Sequence, residues 1–363
     1  MARLGDYVKI RTGKLDANAS SLNGQYPFFT CSIESLKIDT YSYDCECVLV
    51  AGNGDLNVKY YNGKFDAYQR TYIIESNDKT VLSVPYLYCF LDKYVETLRK
   101  QSIGGVIKYI KLGNLTEAQI PLCSMEKQLS IVKKLKKVNS IIDDRKLQLT
   151  KLDELVKSRF IEMFGDQRSN PFGWDVVSIG DIATDVKYGT SRPAVEGGKY
   201  PYLRMNNLTY EGTLDLTDLK YIDIPENEIE KCVVRNGDVL FNRTNSVELV
   251  GKTCVYNLDC DMIIAGYIIR VRIDERMLPI VLSYYLNSTV MKEQLRSMAK
   301  GAVNQANINA QELRSIQVYL PPIELQTKFA AFVEQIDKSK LAIQQSLEKL
   351  ETLKKALMQQ YFG

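Results

Sequence analysis

Two short segments of the chain carry residue types that belong to catalytic sites. Gly251-Lys252-Thr253 has the ending of a phosphate-binding loop, but Ser246 stands where that loop needs a glycine. Without that glycine the backbone cannot wrap around a phosphate, so the segment predicts no nucleotide site. Asp143 and Asp144 lie side by side, but no second carboxylate cluster accompanies them, as a two-metal nuclease would require. The sequence therefore predicts no catalytic centre at either place.

Histidine is absent from all 363 residues, and the eight cysteines include no Cys-x-x-Cys pair. Hydrolases that depend on a histidine base are therefore excluded, and a zinc site of cysteine and histidine is not predicted. We interpret the cysteines as free, mostly buried thiols of a reducing compartment. No apolar run is long enough to cross a bilayer, and the N-terminus lacks the apolar core of a signal peptide. We therefore expect a cytoplasmic protein.

The charge balance does not by itself indicate a nucleic-acid partner. The net charge is +3, and residues 166–322 carry 17 basic and 20 acidic groups. The basic excess lies in residues 125–165, which carry 10 basic and 6 acidic groups. Binding to an anionic polymer would therefore depend on local patches or on a more basic partner.

An internal repeat organises the chain. Residues 120–128 are similar to residues 318–326, and both segments begin with turn-forming prolines. The two copies align without a gap to their ends, where Phe164-Gly165 falls on Phe362-Gly363. A repeat of this kind predicts two copies of one structural unit.

Each copy predicts a long helix, because about forty residues follow the prolines without a further Gly or Pro. Apolar residues recur at alternating spacings of three and four, which is the heptad pattern of a coiled coil. Helices this long need a partner along their length, so we expect them to pair with each other. Two independent amphipathic helices on their own domains are the alternative. The predicted seam is Leu135, Val138, Ile142, Arg145, Leu149, Leu152 and Val156 in the first copy, and Val333, Ile336, Lys340, Ile343, Leu347, Leu350 and Lys354 in the second.

The polar heptad positions of the two long helices have two interpretations. Arg145, Arg159, Lys340 and Lys354 either set the register of the coil or face solvent where the seam frays. We favour a register role.

The segments before the long helices predict an α+β fold. Residues 24–28 correspond to residues 198–202, and both segments continue with short runs rich in Val, Ile, Tyr and Phe, broken by Gly, Asn and Asp. Such runs are typical of strands and tight turns. A shorter helical stretch, at residues 85–100 and 279–298, precedes each long helix. The predicted order is globular segment, long helix, globular segment, long helix.

This order resembles the DNA specificity (S) subunits of type I restriction–modification systems along essentially the whole chain. The helix openings are the most specific match, and residues 151–166 are similar to the central helical region of that family. Residues 202–208 and 236–244 resemble its target-recognition domains. The first globular segment matches less well, because it has residues 51–55 where the second segment has the strand end with Arg243-Thr244.

The resemblance implies an α+β fold with two globular target-recognition domains, separated by two long antiparallel coiled-coil helices and related by a pseudo-twofold internal repeat. The implied boundaries are residues 1–122 and 166–321 for the recognition domains, and 123–165 and 322–363 for the central and C-terminal helices. Each domain would read one half of a split double-stranded DNA site, and the chain would be non-catalytic.

The resemblance also implies partners. Two adenine methyltransferase subunits would use S-adenosylmethionine, and, in a restriction form, two restriction/translocase subunits would use ATP and Mg. The chain itself would bind no cofactor.

Base reading requires side chains that form paired hydrogen bonds with base edges, Arg or Lys with guanine and Asn or Gln with adenine. Turn-flanked clusters of such residues are the candidates for DNA contact, although each one alone also fits an ordinary solvated loop residue. In the second globular segment they are Lys187, Tyr188, Thr190, Arg192, Arg204, Asn206, Asn207, Arg243, Asn245, Asn304 and Gln305. At corresponding positions of the first segment they are Arg11, Lys14, Asn53, Lys59, Gln69, Arg70, Lys108 and Tyr109.

A coiled-coil scaffold whose globular units bind protein is the alternative function. The acidic second segment favours the scaffold, whereas the family resemblance favours DNA reading. Neither interpretation predicts a catalytic residue or a metal ligand.

Overall fold

The computed structural model describes residues 1–299 and 306–363. The chain divides into two compact units. Unit 1 contains Met1–Leu147 and Ile343–Gly363, and unit 2 contains Gln148–Ala342. Each unit therefore combines a globular part with portions of both long helices. Within the described residues no helix is both long and apolar enough to cross a membrane.

Unit 1 is built on a mixed sheet covered by a helix. Its strands are β1 (Ala2–Arg3), β2 (Val8–Thr12), β3 (Tyr26–Phe29), β4 (Leu36–Ile38), β5 (Tyr43–Ala51), β6 (Val58–Ala67), β7 (Thr71–Ser76) and β8 (Gln119–Ile120). Its helices are α1 (Val84–Gln101), α2 (Leu112–Thr116) and the first part of α3 (Met125–Phe164). Six strands form a sheet in the order β2-β7-β5-β6-β3-β4, and β1 pairs with β8.

Helix α1 begins where Ser83 caps it, since the Ser83 side chain accepts a hydrogen bond from the Tyr86 amide. Its buried face includes Leu87, Phe90 and Leu91, which join the main hydrophobic cluster of unit 1. This cluster also holds Val48 and residues of both long helices, so the sheet, α1 and the coil share one core.

Unit 2 contains more and shorter elements. Its strands are β9 (Asp175–Ser178), β10 (Ala183–Tyr188), β11 (Tyr200–Leu203), β12 (Lys220–Ile222), β13 (Val233–Val234), β14 (Val239–Asn242), β15 (Thr244–Asn245), β16 (Thr253–Val255), β17 (Met262–Ile264), β18 (Ile268–Ile273), β19 (Ala306–Asn307) and β20 (Gln317–Leu320). Its helices are α4 (Ile179–Ile182), α5 (Glu226–Cys232), α6 (Pro279–Asn287), α7 (Thr289–Met298), α8 (Ala310–Ser315) and part of α9 (Ile323–Phe362). The sheets run β10-β18-β14-β16 and β12-β11-β17-β13, with two further strand pairs, β15-β19 and β20-β9.

The long helices pair antiparallel. In unit 2, Phe160 near the end of α3 packs on Phe329 near the start of α9, with ring centroids 5.4 Å apart. In unit 1, Leu135 near the start of α3 shares a buried cluster with Met358 and Phe362 near the end of α9. The expected pairing of the two helices is confirmed.

The seam follows the predicted heptads where it is apolar. Six predicted members are buried: Leu135, Val138, Ile142, Val156, Val333 and Ile336. The polar position Lys340 is also sheltered, and its Nζ lies 2.5 Å from Oδ1 of Asp153 on α3. This contact joins the two helices in unit 2 and supports the register role over a frayed seam.

The repeat is visible in the strand pairing. The first strand of each globular part pairs with the strand just before a long helix: Ala2 lies opposite Ile120, and Val177 lies opposite Val318. Strands β3 and β11 each pair antiparallel with the next strand and parallel with a later one. The predicted α+β class and internal repeat are confirmed. The eight cysteines are free, as predicted, with Cys260 exposed.

Candidate nucleic-acid interface

Each unit contains a cleft where β2 or β10 ends. The cleft of unit 2 measures about 630 Å³ and is lined by Tyr188, Gly189, Thr190, Ser191, Arg192, Glu228, Lys231, Cys232, Arg243 and Gly266. The cleft of unit 1 measures about 200 Å³ and is lined by Thr12, Gly52, Gln69, Arg70, Tyr72 and Ile110. Predicted DNA-contact residues therefore line both.

A glycine at a close backbone crossing follows the last residue of β2 and of β10, Gly13 after Thr12 and Gly189 after Tyr188. The Gly13 amide donates to the Thr71 carbonyl in unit 1, and the Gly189 amide donates to the Ile268 carbonyl in unit 2. A Cβ atom at Gly13 would lie 2.1 Å from the carbonyl oxygen of Ala67, and one at Gly189 would lie 2.1 Å from that of Ile264. Only glycine allows this approach. Gly13 and Gly189 are therefore equivalent.

A second backbone crossing at each cleft shows the same equivalence with a different side chain. In unit 1 the Gly52 amide donates to the Arg70 carbonyl, and the Gly52 carbonyl accepts from Ile110. In unit 2 the Arg243 amide donates to the Tyr267 carbonyl, and the Arg243 carbonyl accepts from Ile308. Gly52 thus occupies the place of Arg243. This confirms the correspondence that the sequence predicted between residues 51–55 and the Arg243-Thr244 strand end.

Arg243 stacks on an aromatic ring in the cleft of unit 2. Its Cζ lies 4.9 Å from the ring centroid of Tyr188, a cation–π distance. The hydroxyl of Tyr188 accepts a hydrogen bond of 2.7 Å from the Ala310 amide, which fixes the ring. The Nε of Arg243 is buried without a hydrogen-bond partner among the described residues.

Arg192 and Glu228 form a two-point ion pair in the same cleft. Nη2 of Arg192 lies 2.7 Å from Oε1 of Glu228, and its Nε lies 3.2 Å from Oε2. The hydrogen bond and charge of Arg192 lower the pKa of Glu228, and Glu228 correspondingly raises the pKa of Arg192. Because Arg192 is exposed and Glu228 is only half-buried, the pair is weak and open to exchange with another ligand.

The loop after β11 presents one exposed amide and one buried amide. Asn206 is exposed, whereas Asn207 is 2% exposed and bonds the Arg204 amide and the Asp215 carbonyl. Arg204 is half-buried, and its Nη2 lies 2.8 Å from Oδ2 of Asp218. Asn245, at the end of β15, is half-buried and accepts from the Ser246 amide. Asn207 thus stabilises the loop after β11 through its side-chain hydrogen bonds.

Two of the predicted cations point away from the clefts. Successive side chains of a strand face opposite sides, so Arg11 and Lys187 lie opposite the cleft residues Thr12 and Tyr188. Nη2 of Arg11 lies 2.8 Å from Oε1 of Glu75, with its Cζ 4.8 Å from the Tyr43 ring centroid. Nζ of Lys187 lies 3.4 Å from Oδ1 of Asp185.

The remaining predicted residues of unit 1 lie around its cleft or behind it. Lys14 is exposed next to Gly13, and Lys108 and Tyr109 are exposed beside Asn53, which pairs with Tyr109. Lys59 is half-buried, and its Nζ donates to the carbonyl of Ser32. Burial lowers the pKa of Lys59. Asn304 and Gln305 lie outside the described residues.

Sequence reasoning missed two features of unit 2. Glu228 and Lys231 enter the cleft from α5, which is distant in sequence from the other cleft residues, and nothing in the local sequence signals this approach. Lys292 is 4% exposed, and its Nζ lies 2.5 Å from the Gly251 carbonyl. A lysine on an amphipathic helix such as α7 is ordinarily expected in solvent. Residues 1–299 and 306–363 contain no group of three or more His, Cys, Asp or Glu that could hold a metal ion.

Comparison with known proteins identifies a family. The model of the type I restriction modification DNA specificity domain matches residues 1–152 and 171–354. The EcoDI specificity subunit of Escherichia coli is 38% identical over 154 residues, which are 42% of this chain and 34% of that protein. The putative MjaX specificity subunit of Methanocaldococcus jannaschii is 30% identical over 196 residues, 53% of this chain and 46% of that protein. The chain thus spans less than half the length of these relatives.

Solved structures share the fold. The S subunit of the type I restriction–modification system from M. genitalium aligns over 100% of this chain and 95% of its own, with a TM-score of 0.62 and 15% identity. A chain from a study of complex assembly and conformational transition of the type I R-M system aligns over 99% of this chain and 96% of its own, with a TM-score of 0.58 and 18% identity.

Proposed function

The chain belongs to the type I restriction–modification DNA specificity family, and we propose that it reads a bipartite double-stranded DNA site and directs partner enzymes to it. Units 1 and 2 each read one half-site. The chain is non-catalytic, and it recruits adenine methyltransferase subunits and restriction subunits. S-adenosylmethionine, ATP and Mg are used by those partners.

The observation that carries this proposal is the pair of equivalent clefts with unlike polar side chains. The same backbone crossings frame both clefts, yet the side chains that enter them differ, with Gly52 in one and Arg243 in the other. Two copies of one reader with different contact residues suit two different half-sites. The DNA site therefore need not be palindromic.

We assign the DNA contacts to the residues in and around the clefts. They are Thr190, Arg192, Arg204, Asn206, Arg243 and Asn245 in unit 2, and Lys14, Asn53, Gln69, Arg70, Lys108 and Tyr109 in unit 1. Arg11, Lys59, Lys187, Tyr188 and Asn207 support these contacts from behind or beside them. Because the net charge is only +3, affinity for phosphates depends on these local cations and on the partner subunits.

DNA retention by the full chain, with and without its methyltransferase, tests the proposal. The expected result is DNA binding that falls steeply between roughly 50 and 200 mM salt and becomes sequence-selective with the methyltransferase present. The double variant Arg70→Ala/Arg243→Ala should lose selectivity. The control Arg3→Ala/Arg276→Ala should retain it, since these arginines pair with Glu117 and Asp274 outside the clefts.

The opposite result has a definite meaning. If DNA is not retained under any of these conditions although the complex assembles, the chain is a scaffold that binds protein.

A further inference from the structure

Among the residues that the structure describes, Arg243 is the arginine of the unit 2 cleft that pairs with no carboxylate. Arg192 and Arg204 each lie within 2.8 Å of a carboxylate oxygen, on Glu228 and Asp218. No carboxylate of the described residues lies within ion-pair distance of Arg243, and its side chain makes no hydrogen bond to them. Its Nη groups are therefore not occupied by a carboxylate of the described residues and can donate to a ligand that enters the cleft, whereas its Nε is buried.

Tyr188 holds this guanidinium in place. The ring lies 4.9 Å below Cζ, and the Tyr188 hydroxyl is anchored by the Ala310 amide. A guanidinium stacked on an aromatic face keeps its N–H edge free, and less rotamer freedom is lost when that edge binds. Two parallel N–H donors match the O6 and N7 acceptors that guanine presents in the major groove.

Unit 1 lacks both parts of this arrangement. Gly52 occupies the place of Arg243, and Thr12, directly before the equivalent glycine, occupies the place of Tyr188. The exchange is reversed in the segment that pairs with this residue: Gln69-Arg70 in unit 1 stands where unit 2 has Gly266-Tyr267, because the carbonyls of Arg70 and Tyr267 accept equivalent hydrogen bonds. The polar side chains thus come from different segments of the repeat in the two clefts.

We propose that Arg243 reads a guanine in the half-site bound by unit 2, that Tyr188 is its positioning residue, and that the equivalent base position of the other half-site has no such guanine contact. This inference rests on the proposed function and assigns one base to one residue. It also explains why the repeat keeps the backbone of the cleft while exchanging the side chains.

The test uses the complex with methyltransferase and a duplex carrying the split motif mapped in a methylation-free host. Each guanine of the motif is replaced in turn by 7-deazaguanine, which removes N7 but keeps Watson–Crick pairing. For one guanine of one half-site, the wild-type Kd should rise roughly 5- to 100-fold. Arg243→Ala should weaken binding to unmodified DNA by a similar factor and should show no further loss with that 7-deazaguanine.

Tyr188 variants separate positioning from folding. Tyr188→Leu should reduce the discrimination for that guanine while leaving binding to unrelated DNA unchanged, and Tyr188→Phe, which keeps the ring, should restore most of the discrimination. Arg276→Ala, beyond the opposite end of β18, is the control for general charge and should remain as sensitive to 7-deazaguanine as the wild type.

Two failures have different meanings. Absence of any split motif would overturn the proposed function. A split motif with undiminished 7-deazaguanine sensitivity at every guanine in Arg243→Ala would overturn only the assignment of Arg243.

Discussion

Gln128 and Gln326 occupy the same place in the two repeats and make the same three hydrogen bonds. Both are 0% exposed. Oε1 of Gln128 accepts from the Ser83 amide, while its Nε2 donates to the carbonyls of Val81 and Cys123. Oε1 of Gln326 accepts from the Leu278 amide, while its Nε2 donates to the carbonyls of Arg276 and Pro321. Through these hydrogen bonds each glutamine connects the start of a long helix to the N-terminus of a shorter helix, α1 or α6.

Replacing either glutamine should therefore destabilise its own unit. Gln128→Ala and Gln326→Ala each leave a buried amide N–H and two carbonyls without this partner, which should cost about 2–3 kcal/mol. The measurement is the urea unfolding midpoint of the full chain. The matched control is Gln335→Ala, at an exposed position of α9, which should change stability by less than about 0.5 kcal/mol. Equal shifts for all three variants would contradict the assigned role.

The contact between Lys340 and Asp153 should couple α3 and α9 energetically. Lys340 is mostly sheltered, with its Nζ 2.5 Å from Oδ1 of Asp153. A double-mutant cycle with Lys340→Ala and Asp153→Ala should give a coupling of about 1 kcal/mol. The exposed pair Lys338–Glu334 within α9 serves as the comparison and should give a smaller coupling, because water screens it. A Lys340–Asp153 coupling near zero would show that the polar seam position does not set register.

Stability should depend on pH through Lys292. Burial, with Arg296 and Lys252 as further causes, lowers the pKa of Lys292 from 10.5 to about 7. The unfolded chain therefore binds more protons than the folded chain between about pH 7 and 10.5, and stability from this group rises with pH across that window.

Lys292→Met tests this dependence with little loss of packing. The Gly251 carbonyl keeps a donor, because Oγ1 of Thr253 lies 3.1 Å from it. The unfolding free energy of the wild type should rise relative to that of Lys292→Met as pH increases from about 7 to 9.5, by at most about 1.4 kcal/mol per pH unit. The exposed Lys338→Met is the control for the removal of one lysine charge from a helix surface. A pH-independent difference for Lys292→Met would mean that Lys292 stays charged in the fold.

Glu228 should restrain the DNA affinity of the unit 2 cleft. Glu228→Gln removes the charge that neutralises Arg192, so binding to DNA at low salt should become several-fold tighter. If Arg192 then contacts a phosphate, the slope of log K against log salt should steepen by about 0.9. Glu230→Gln is the matched control, because Glu230 lies on the same helix but pairs with Arg235, which does not line the cleft. Identical effects of both variants would indicate a general charge effect.

The sequence predicts the repeat, the long helices and the α+β class because these depend on periodic or local patterns. Prolines precede both long helices, heptads define their seam, and Gln128 and Gln326 fall in the similar openings. The equivalence of Gly52 and Arg243 was also predictable, since each follows an apolar strand.

The side chains that line the clefts could not be predicted locally, because their placement depends on contacts between segments distant in sequence. Glu228 reaches Arg192 only because α5 packs beside the end of β10, and neither local sequence indicates this. The side chain of Arg11 faces away from the cleft because its neighbour Thr12 takes the inward position, which depends on the exact bounds of a short strand. Burial of Lys292 similarly depends on the Gly251 carbonyl, which lies on a distant loop.

Methylation mapping tests the central claim most directly. The full chain is expressed with its methyltransferase in a methylation-free host, and methylated adenines are mapped by long-read sequencing against a control that lacks this chain. The expected result is a split motif that appears only with the chain, with Arg243→Ala relaxing one half and leaving the other intact. No motif from an assembled complex, or equal relaxation of both halves, would contradict reading by two separate units.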